Sequence, residues 1–530
     1  MERWRICPIR PFRSSLSTDL TVKRAARSVS DPRNILQPLC VSIRKVISEG
    51  RTVPRSTRYI FRAKLVTTSV AVMFCFCLTL HPATAAGQAG GASAGHPALP
   101  KEEPPSPLPD DRYKADILLV VAHPDDELEV ASYLAKAALD EHKRIAVLYG
   151  TRGNSGGNKV GYEQASSLAA VREIEARRAL ALLNISQVWF LNAPDTPAPN
   201  GHNVLRSLET WNHGSTLGEV VRIIRLTRPS VVLTFLPDVV VGENHEDHQA
   251  AGVIATEAFD IAGDPTQFPE QVAFPEDHKD FAVLLEGLRP WQPQKLYYFS
   301  DAADDSFLKG KGPEYSIKEV SPSRHVAYFR FWLAMSNIYR TQFENVPAAD
   351  APEPADFNPT PQRFVLGKSL VGGTTTGDIL ENTGPQPLPF APVRGYRPLS
   401  RAGISVELGG PWNLYQEFWC AHNLDHLAQL LPIPEVGVGG GGTLAVPLLI
   451  HNDTNDSKAV TLQATLPDGW AARKGVAIYP IPAHGVYPVT VVLIAPSTAE
   501  SKWQQLSFDL ESDGKAVGSA RLRVHVRGSQ

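Results

Sequence analysis

DILLVVA at residues 116–122, followed directly by HPDDE at 123–127, decides how the rest of the chain is read. Seven apolar-rich positions are too few for a surface helix and show no alternation, so they predict a strand buried on both faces. Leu128–Asp140 then carries a helical pattern. The same alternation recurs downstream. Arg144–Gly150 reads as a second strand, followed by a glycine-rich loop and a helix over Glu163–Leu183. Gln187–Leu191 is a third strand, Leu217–Thr227 a helix, Ser230–Leu236 (SVVLTFL) a fourth strand and His245–Ala262 a helix. Short continuous strands alternating with amphipathic helices predict an α/β fold, a Rossmann-like, mostly parallel sheet with helices on both faces. In such sheets ligands bind beyond the carboxyl ends of the strands, which is where HPDDE lies.

The chain has 530 residues, 43% of them hydrophobic and 20% charged, a globular balance that excludes a collagen-like, coiled-coil or wholly disordered protein. Its net charge of −3 is uneven. Residues 1–64 hold 15 Lys and Arg against 4 Asp and Glu, a balance of +11, which leaves the remainder near −14. So acidic a body is poorly suited to nucleic acid or an anionic membrane surface.

Arg58, Arg62 and Lys64 precede the apolar run Leu65–Leu80, and Ala83-Thr84-Ala85-Ala86 follows it. This is the order of a secretory signal, with cleavage expected after Ala85 and no stable membrane insertion afterwards. The protein is therefore expected to be exported, periplasmic or extracellular; an uncleaved N-terminal anchor is the minor alternative for a run of 16 residues. A start codon assigned too far upstream would account for the basic extension. Cys7, Cys40, Cys75 and Cys77 all fall before the cleavage point, so Cys420 is left alone and no intrachain disulfide framework is expected.

The expected organisation is a basic extension and signal over 1–85, a linker over 86–113, a catalytic domain over 114–300 and an elaboration completing it over 301–435. In the elaboration, His325–Gln342 has the pattern of a helix. Gly437–Gly442 marks a glycine-rich hinge at 436–442. Beyond it, β-rich runs at Thr443–His451, Ala459–Leu466, Val489–Ile494, Gln505–Leu510 and Ala520–Val526 predict an all-β immunoglobulin-like sandwich over 443–530. Tyr479–Gly485 (YPIPAHG) fits a loop between its strands.

Two polar clusters follow predicted strands: His123–Glu127 after the first, and Asn244-His245-Glu246-Asp247-His248 after the fourth. Three carboxylates and an imidazole in five positions are costly to bury without a cation. His123 and Asp126, three apart on a tight turn, can point at one centre, and His248 supplies a third donor. Two histidines and a carboxylate with an open position suit zinc, one ion per chain, while Fe2+, Mn2+ and Co2+ accept the same donors. Asp125 is left beside that centre to accept a proton. Taken alone, HPDD also fits a turn capping the next helix, and His245 and His248 also fit a solvated helix start. Glu127 fits either a helix N-terminal charge or a hydrogen-bonding position behind the ligands.

Together these clusters resemble the LmbE/PIG-L family of zinc-dependent de-N-acetylases. The resemblance extends through Thr151-Arg152-Gly153, Gly156-Gly157-Asn158 and Gly161, through Arg172-x-x-Glu175-Ala176-Arg177, and to Asp195 and Asp247–Gly252. It covers about residues 114–300 and looks like the longer, exported bacterial members. It implies that His123, Asp126 and His248 bind the metal and that Asp125 is the general base. His245 would stabilise the oxyanion or protonate the leaving amine, and Asp247 would orient a histidine. Arg172, Asn158 and Asp195 would lie near substrate, although Arg172 also fits a surface pair with Glu175, and Asn158 and Asp195 fit turn positions. The implied partner is an N-acetylated amino sugar or glycoconjugate, with glycan or cell-surface contact through the C-terminal module. The competing readings are a metal-dependent hydrolase of another amide or of a phosphoester, and a non-catalytic exported carbohydrate-binding protein.

Overall fold

The computed structural model describes residues 109–196, 203–238, 245–272, 286–302, 304–353, 357, 359–390, 402–430, 433–498 and 500–528. The N-terminal extension, the signal segment, the linker as far as residue 108, and Asn244 of the second motif lie outside the described residues. Among the described residues no helix is long and apolar enough to cross a membrane.

From Ile117 strand and helix alternate. Strand β1 (Ile117–Val121) leads through a 3-10 turn at Asp126–Val130 into α1 (Ala131–Ala135), and β2 (Ile145–Tyr149) leads into α2 (Ala165–Ala181). β3 (Gln187–Phe190) precedes α3 (Val204–Thr210) and α4 (His213–Thr227), and β4 (Val231–Phe235) precedes α5 (Glu246–Ile261). There follow α6 (Pro269–Val272), β5 (Lys295–Phe299), β6 (Glu314–Tyr315), α7 (Phe329–Ser336), β7 (Gln362–Arg363) and β8 (Val365–Ser369). Six strands form one sheet in the order β3-β2-β1-β4-β5-β8, with the first five parallel and β8 antiparallel at the edge.

The apolar run of β1 is continuous because its two faces enter different cores. Ile117, Leu119 and Val121 pack with residues of α1, α2 and the segment around Tyr339, whereas Leu118 and Val120 pack with residues of α3, α4 and α5. The order reverses direction between β1 and β4, so the loops leaving these two strands open on one crevice. The first polar cluster lies on the turn after β1, and the described part of the second, His245–His248, caps and opens α5.

The chain continues with β9 (Ile404–Leu408), α8 (Pro411–Ala421), β10 (Glu435–Gly439), β11 (Thr443–Asn452), β12 (Lys458–Thr465), β13 (Ala471–Lys474), β14 (Ile478–Ile481), β15 (Gly485–Ile494), β16 (Lys502–Ser512) and β17 (Lys515–Arg527). These strands form two sheets, β10-β17-β16-β12-β14 and β13-β15-β11-β9, around one apolar core. In β17 the alternation is plain: Leu522, Val524 and Val526 are buried while Arg521, Arg523 and Arg527 are exposed.

Four expectations are corrected. Residues 436–442 are no hinge: Gly437 and Gly439 pair in parallel with His525 and Arg527, and a tight turn follows, with Gly441 at φ +70° and Gly442 N donating to Gly439 O. Glycine here permits close pairing and a left-handed turn. The β module starts before residue 443, since β9 pairs with β11, so residues 404–408 leave the expected elaboration. Part of the expected loop at 479–485 is strand β14, paired with β12. The helix expected over 325–342 is confined to Phe329–Ser336, because His325 sits at φ +58° and Asn337 turns its amide onto the Leu333 and Pro347 carbonyls.

Asp140 ties the end of the first helical segment to the stretch before α7, accepting from Ser321 Oγ (2.7 Å), Ser323 N (2.9 Å) and Tyr328 OH (2.8 Å). Slight burial opposes its charge, but the Ser323, Ser321 and Tyr328 donors outweigh that and hold its pKa at about 2. We expect Asp140→Ala to lower stability by about 1 kcal/mol at neutral pH. A depressed pKa stabilises above the unfolded-state value and ceases to do so as pH falls through about 2. The wild-type advantage in thermal melts should therefore fade below about pH 4.

Candidate metal centre and catalytic cavity

His123 leaves β1 two residues past its end, and the chain turns so sharply that Asp125 adopts φ +114° and ψ −20°. A side chain held there costs about 1–3 kcal/mol, which the surrounding structure must offset. The turn swings Asp126 back, so that its Oδ2 accepts from the Ala122 amide (2.9 Å) and the His123 amide (2.7 Å). From the loop beyond β4, the His245 Nδ1 accepts from the Asp247 amide (3.2 Å) and caps α5, presenting His248 one turn in.

His123 Nδ1 and His248 Nε2 approach to 3.1 Å, His248 Nε2 and Asp126 Oδ1 to 3.1 Å, and His123 Nδ1 and Asp126 Oδ2 to 3.6 Å. Donors placed tetrahedrally around an ion at zinc distances stand about 3.3 Å apart, close to the two 3.1 Å edges that meet at His248 Nε2, and one donor atom from each of the three residues lies within 4.8 Å of the others. The outer ring nitrogens are also engaged. His123 Nε2 faces Asp195 Oδ1 (3.2 Å) and Asp247 Oδ2 (3.4 Å), and His248 Nδ1 faces Asp301 Oδ2 (2.8 Å). A carboxylate behind each imidazole fixes the tautomer that leaves the inner nitrogen's lone pair free. A second grouping, His123, His245 and Asp247, also gathers three donor atoms within 4.8 Å. It suits an ion less well, because Asp247 already accepts from the Thr196 amide (2.9 Å) and hydroxyl (3.0 Å). The two groupings share His123, which offers Nδ1 to the first and Nε2 to the second.

Electrostatics point the same way. Burial works against charge on Asp126, yet His248 and His123 hold its carboxyl well below the usual range. Burial likewise opposes charge on the imidazoles, but Asp126 and the carboxylates behind them raise His123 well above its ordinary value and His248 to about 10. The inner nitrogens thus attract either protons or a cation, and the two compete. Asp125 differs: burial, then the charges of Asp126 and Glu127, push its carboxyl well above the usual range. His245 is pulled down by burial and by the neighbouring His123 and His248. Because its Nδ1 accepts from backbone, the neutral ring carries its proton on Nε2.

These groups line a cavity of about 470 Å³, with Leu128, Glu129, Arg172, Trp332, Gln342 and Phe343 among its walls. Of the residues expected near substrate, Arg172 and Asp195 reach the wall, but each is engaged. Arg172 donates to the Gly153 carbonyl (2.6 Å) and the Gly157 carbonyl (2.9 Å), pinning the loop after β2. Asp195 meets His123 and the Ser155 amide. Asn158 is a correction: it lies outside the cavity lining, its side chain folded onto Glu163 and the Val160 and Gly161 amides. Asp301 was missed. It stands two residues past β5, the position the strand-end rule marks, and its Oδ1 has no partner among the described residues. Trp332 and Phe343 carried no signal beyond ordinary helix and loop chemistry.

Fold and centre together define a mostly parallel α/β domain with a His–Asp–His group that could hold a cation at the point where strand order reverses. Residues 118–259 match the family model described as PIG-L: GlcNAc-PI de-N-acetylase, and this part of the chain is a domain of the LmbE/PIG-L family. The chain is 30% identical over 171 residues to the 1D-myo-inositol 2-acetamido-2-deoxy-alpha-D-glucopyranoside deacetylase of Geodermatophilus obscurus, covering 29% of this chain and 56% of that one. It is 29% identical over 193 residues to the diacetylchitobiose deacetylase of Thermococcus kodakarensis, covering 36% and 64%. It is 26% identical over 253 residues to the mycothiol S-conjugate amidase of Streptomyces coelicolor, covering 44% and 76%. The chain thus spans little more than half the length of the first of these relatives.

Asp301 touches no inner nitrogen, yet it orients one. We expect Asp301→Ala to weaken metal binding by about 10- to 100-fold in a chelator competition, with the His248 ring still present. Unchanged affinity would mean that His248 needs no such support.

Proposed function

We propose that the protein is a metal-dependent de-N-acetylase of amino-sugar substrates, using one zinc ion per chain. The observation that carries this is the convergence of His123, Asp126 and His248 on one point, with the desolvated carboxyl of Asp125 beside it. The relatives named as deacetylases of N-acetylglucosamine-containing molecules support the substrate class. A centre for one ion favours amide hydrolysis over the two-ion arrangement common in phosphoester cleavage.

An ion bound there would act as a Lewis acid on the amide carbonyl and make water a better nucleophile near neutral pH. The chain's own groups do the rest. Asp125, with its raised proton affinity, takes the proton as water attacks the carbonyl carbon. His245 donates its Nε2–H to the oxygen that gains charge, a contribution of roughly 3–4 kcal/mol for a well-placed donor. Asp195, Asp247 and Asp301 keep the two ligand rings from turning. Asp125 then returns its proton to the departing nitrogen, releasing acetate and a free amine. Trp332 and Phe343 offer apolar faces at the cavity wall on which a pyranose ring can rest. Export after cleavage near Ala85 is part of this proposal, as is an immunoglobulin-like sandwich at the C-terminus making glycan or cell-surface contact.

Acetate release from a panel of N-acetylated sugars tests the proposal. Asp125→Asn should keep its metal and lower kcat by about 100- to 10,000-fold; unchanged turnover would remove the base assignment. His248→Ala should lose both metal and activity, and stoichiometric metal in that variant would show a different ligand set. Trp332→Ala should raise KM more than it lowers kcat, the pattern of lost ground-state binding.

A further inference from the structure

The peptide unit between Pro124 and Asp125 is gripped at both ends. Its oxygen accepts from Gln342 Nε2 (2.5 Å), and its N–H donates to Glu127 Oε2 (3.2 Å). Glu127 is fully buried and is itself held, by the Tyr149 hydroxyl on Oε2 (2.7 Å) and the Tyr339 hydroxyl on Oε1. Tyr339 and Gln342 belong to one short segment, far outside the family-matched residues 118–259. That segment is docked independently, by the Thr341 amide on Glu175 Oε1 (3.0 Å) and the Lys159 amide on the Thr341 carbonyl (3.0 Å).

The consequence falls on Asp125. Its φ of +114° is one a residue with a side chain seldom adopts, and rotation about that bond aims the carboxyl. Fixing the plane of the preceding peptide fixes the reference from which the rotation is measured. We propose that Tyr339, acting through Glu127, and Gln342, acting on the Pro124 carbonyl, are positioning residues that hold Asp125 in its strained, base-competent orientation. The segment after residue 300 then supplies part of the catalytic geometry as well as cavity wall. This inference rests on the reading of Asp125 as the base.

Tyr339→Phe removes one hydroxyl and keeps the buried ring. In the metal-loaded full-length protein, kcat should fall about 10- to 100-fold, with KM within about twofold and metal content unchanged. Gln342→Ala should lower kcat in the same direction. In an Asp125→Asn background, adding Tyr339→Phe should cost nothing further, whereas a role in general stability would lower both backgrounds alike. Unchanged kcat in Tyr339→Phe, or an equal fractional loss in both backgrounds, overturns the proposal. A crystal structure of Tyr339→Phe gives a readout free of turnover: Asp125 leaving its positive φ supports the proposal, and an unmoved Asp125 overturns it. Wild-type protein that releases acetate from no N-acetylated sugar would defeat the de-N-acetylase reading, and the crystallographic comparison would still decide this one.

Discussion

Asp125, Asp126, Asp195 and Asp301 line one cavity with two imidazoles, Asp247 is buried behind one of them, and that density of carboxyl groups constrains the rest of the molecule. Carboxylates removed from water are tolerated when positive charge faces them. Here it is available in two forms, protons on His123 and His248 or a divalent ion between them. Both need the same arrangement, with each imidazole backed by an acceptor on its outer nitrogen. The ring orientations are therefore set by the acceptors behind each outer nitrogen.

The sheet makes this affordable. His123 and Asp126 follow β1, Asp195 and Thr196 follow β3, His245 to His248 follow β4, and Asp301 follows β5. Parallel strands bring all four carboxyl ends to one edge, and the reversal of order between β1 and β4 opens a crevice there. Helix α5 begins at the second motif, so its first-turn amides and partial positive charge also face the carboxylates. None of these contributions needs residues adjacent in sequence.

That separation explains what could be read without coordinates. His123, Asp125, Asp126 and His248 were legible because each cluster is contiguous and directly follows an apolar run. Asp301 was not, because KLYYF at 295–299 sets three consecutive aromatics inside a proline-rich stretch and shows no alternation that would announce a strand. Glu127 was legible as a residue but not as a role, since its partners Tyr149 and Tyr339 are 22 and 212 positions away. The helical period over 325–342 is real, but period reports which face is apolar. It does not report where a side chain caps the last turn, as the Asn337 side-chain amide does on the Leu333 carbonyl. Gly437–Gly442 misled for a related reason: glycine marks freedom in the unfolded chain, and pairing with β17 can still spend that freedom in a strand.

The α/β unit extends beyond residues 118–259, the stretch that matches the family model. β8 closes the sheet edge next to β5, and Lys368 on that strand pairs with the buried Asp260 at the end of α5. His422, just past α8, meets the other oxygen of Asp260 at 2.6 Å, and Tyr415 within α8 donates to Gln249 at 2.5 Å. Tyr415, Phe418 and Trp419 bury themselves in the core that β1 and α5 share. Since α8 lies between β9 and β10 in sequence, the chain enters the β module, returns to the α/β core and enters the module again. Two crossings with a buried helix between them constrain orientation far more than a single flexible tether would. The β module is thus built onto the same core whose other strands carry the cation site, and shortening the chain at residue 300 would strip α5 of the partners that cover its buried acid.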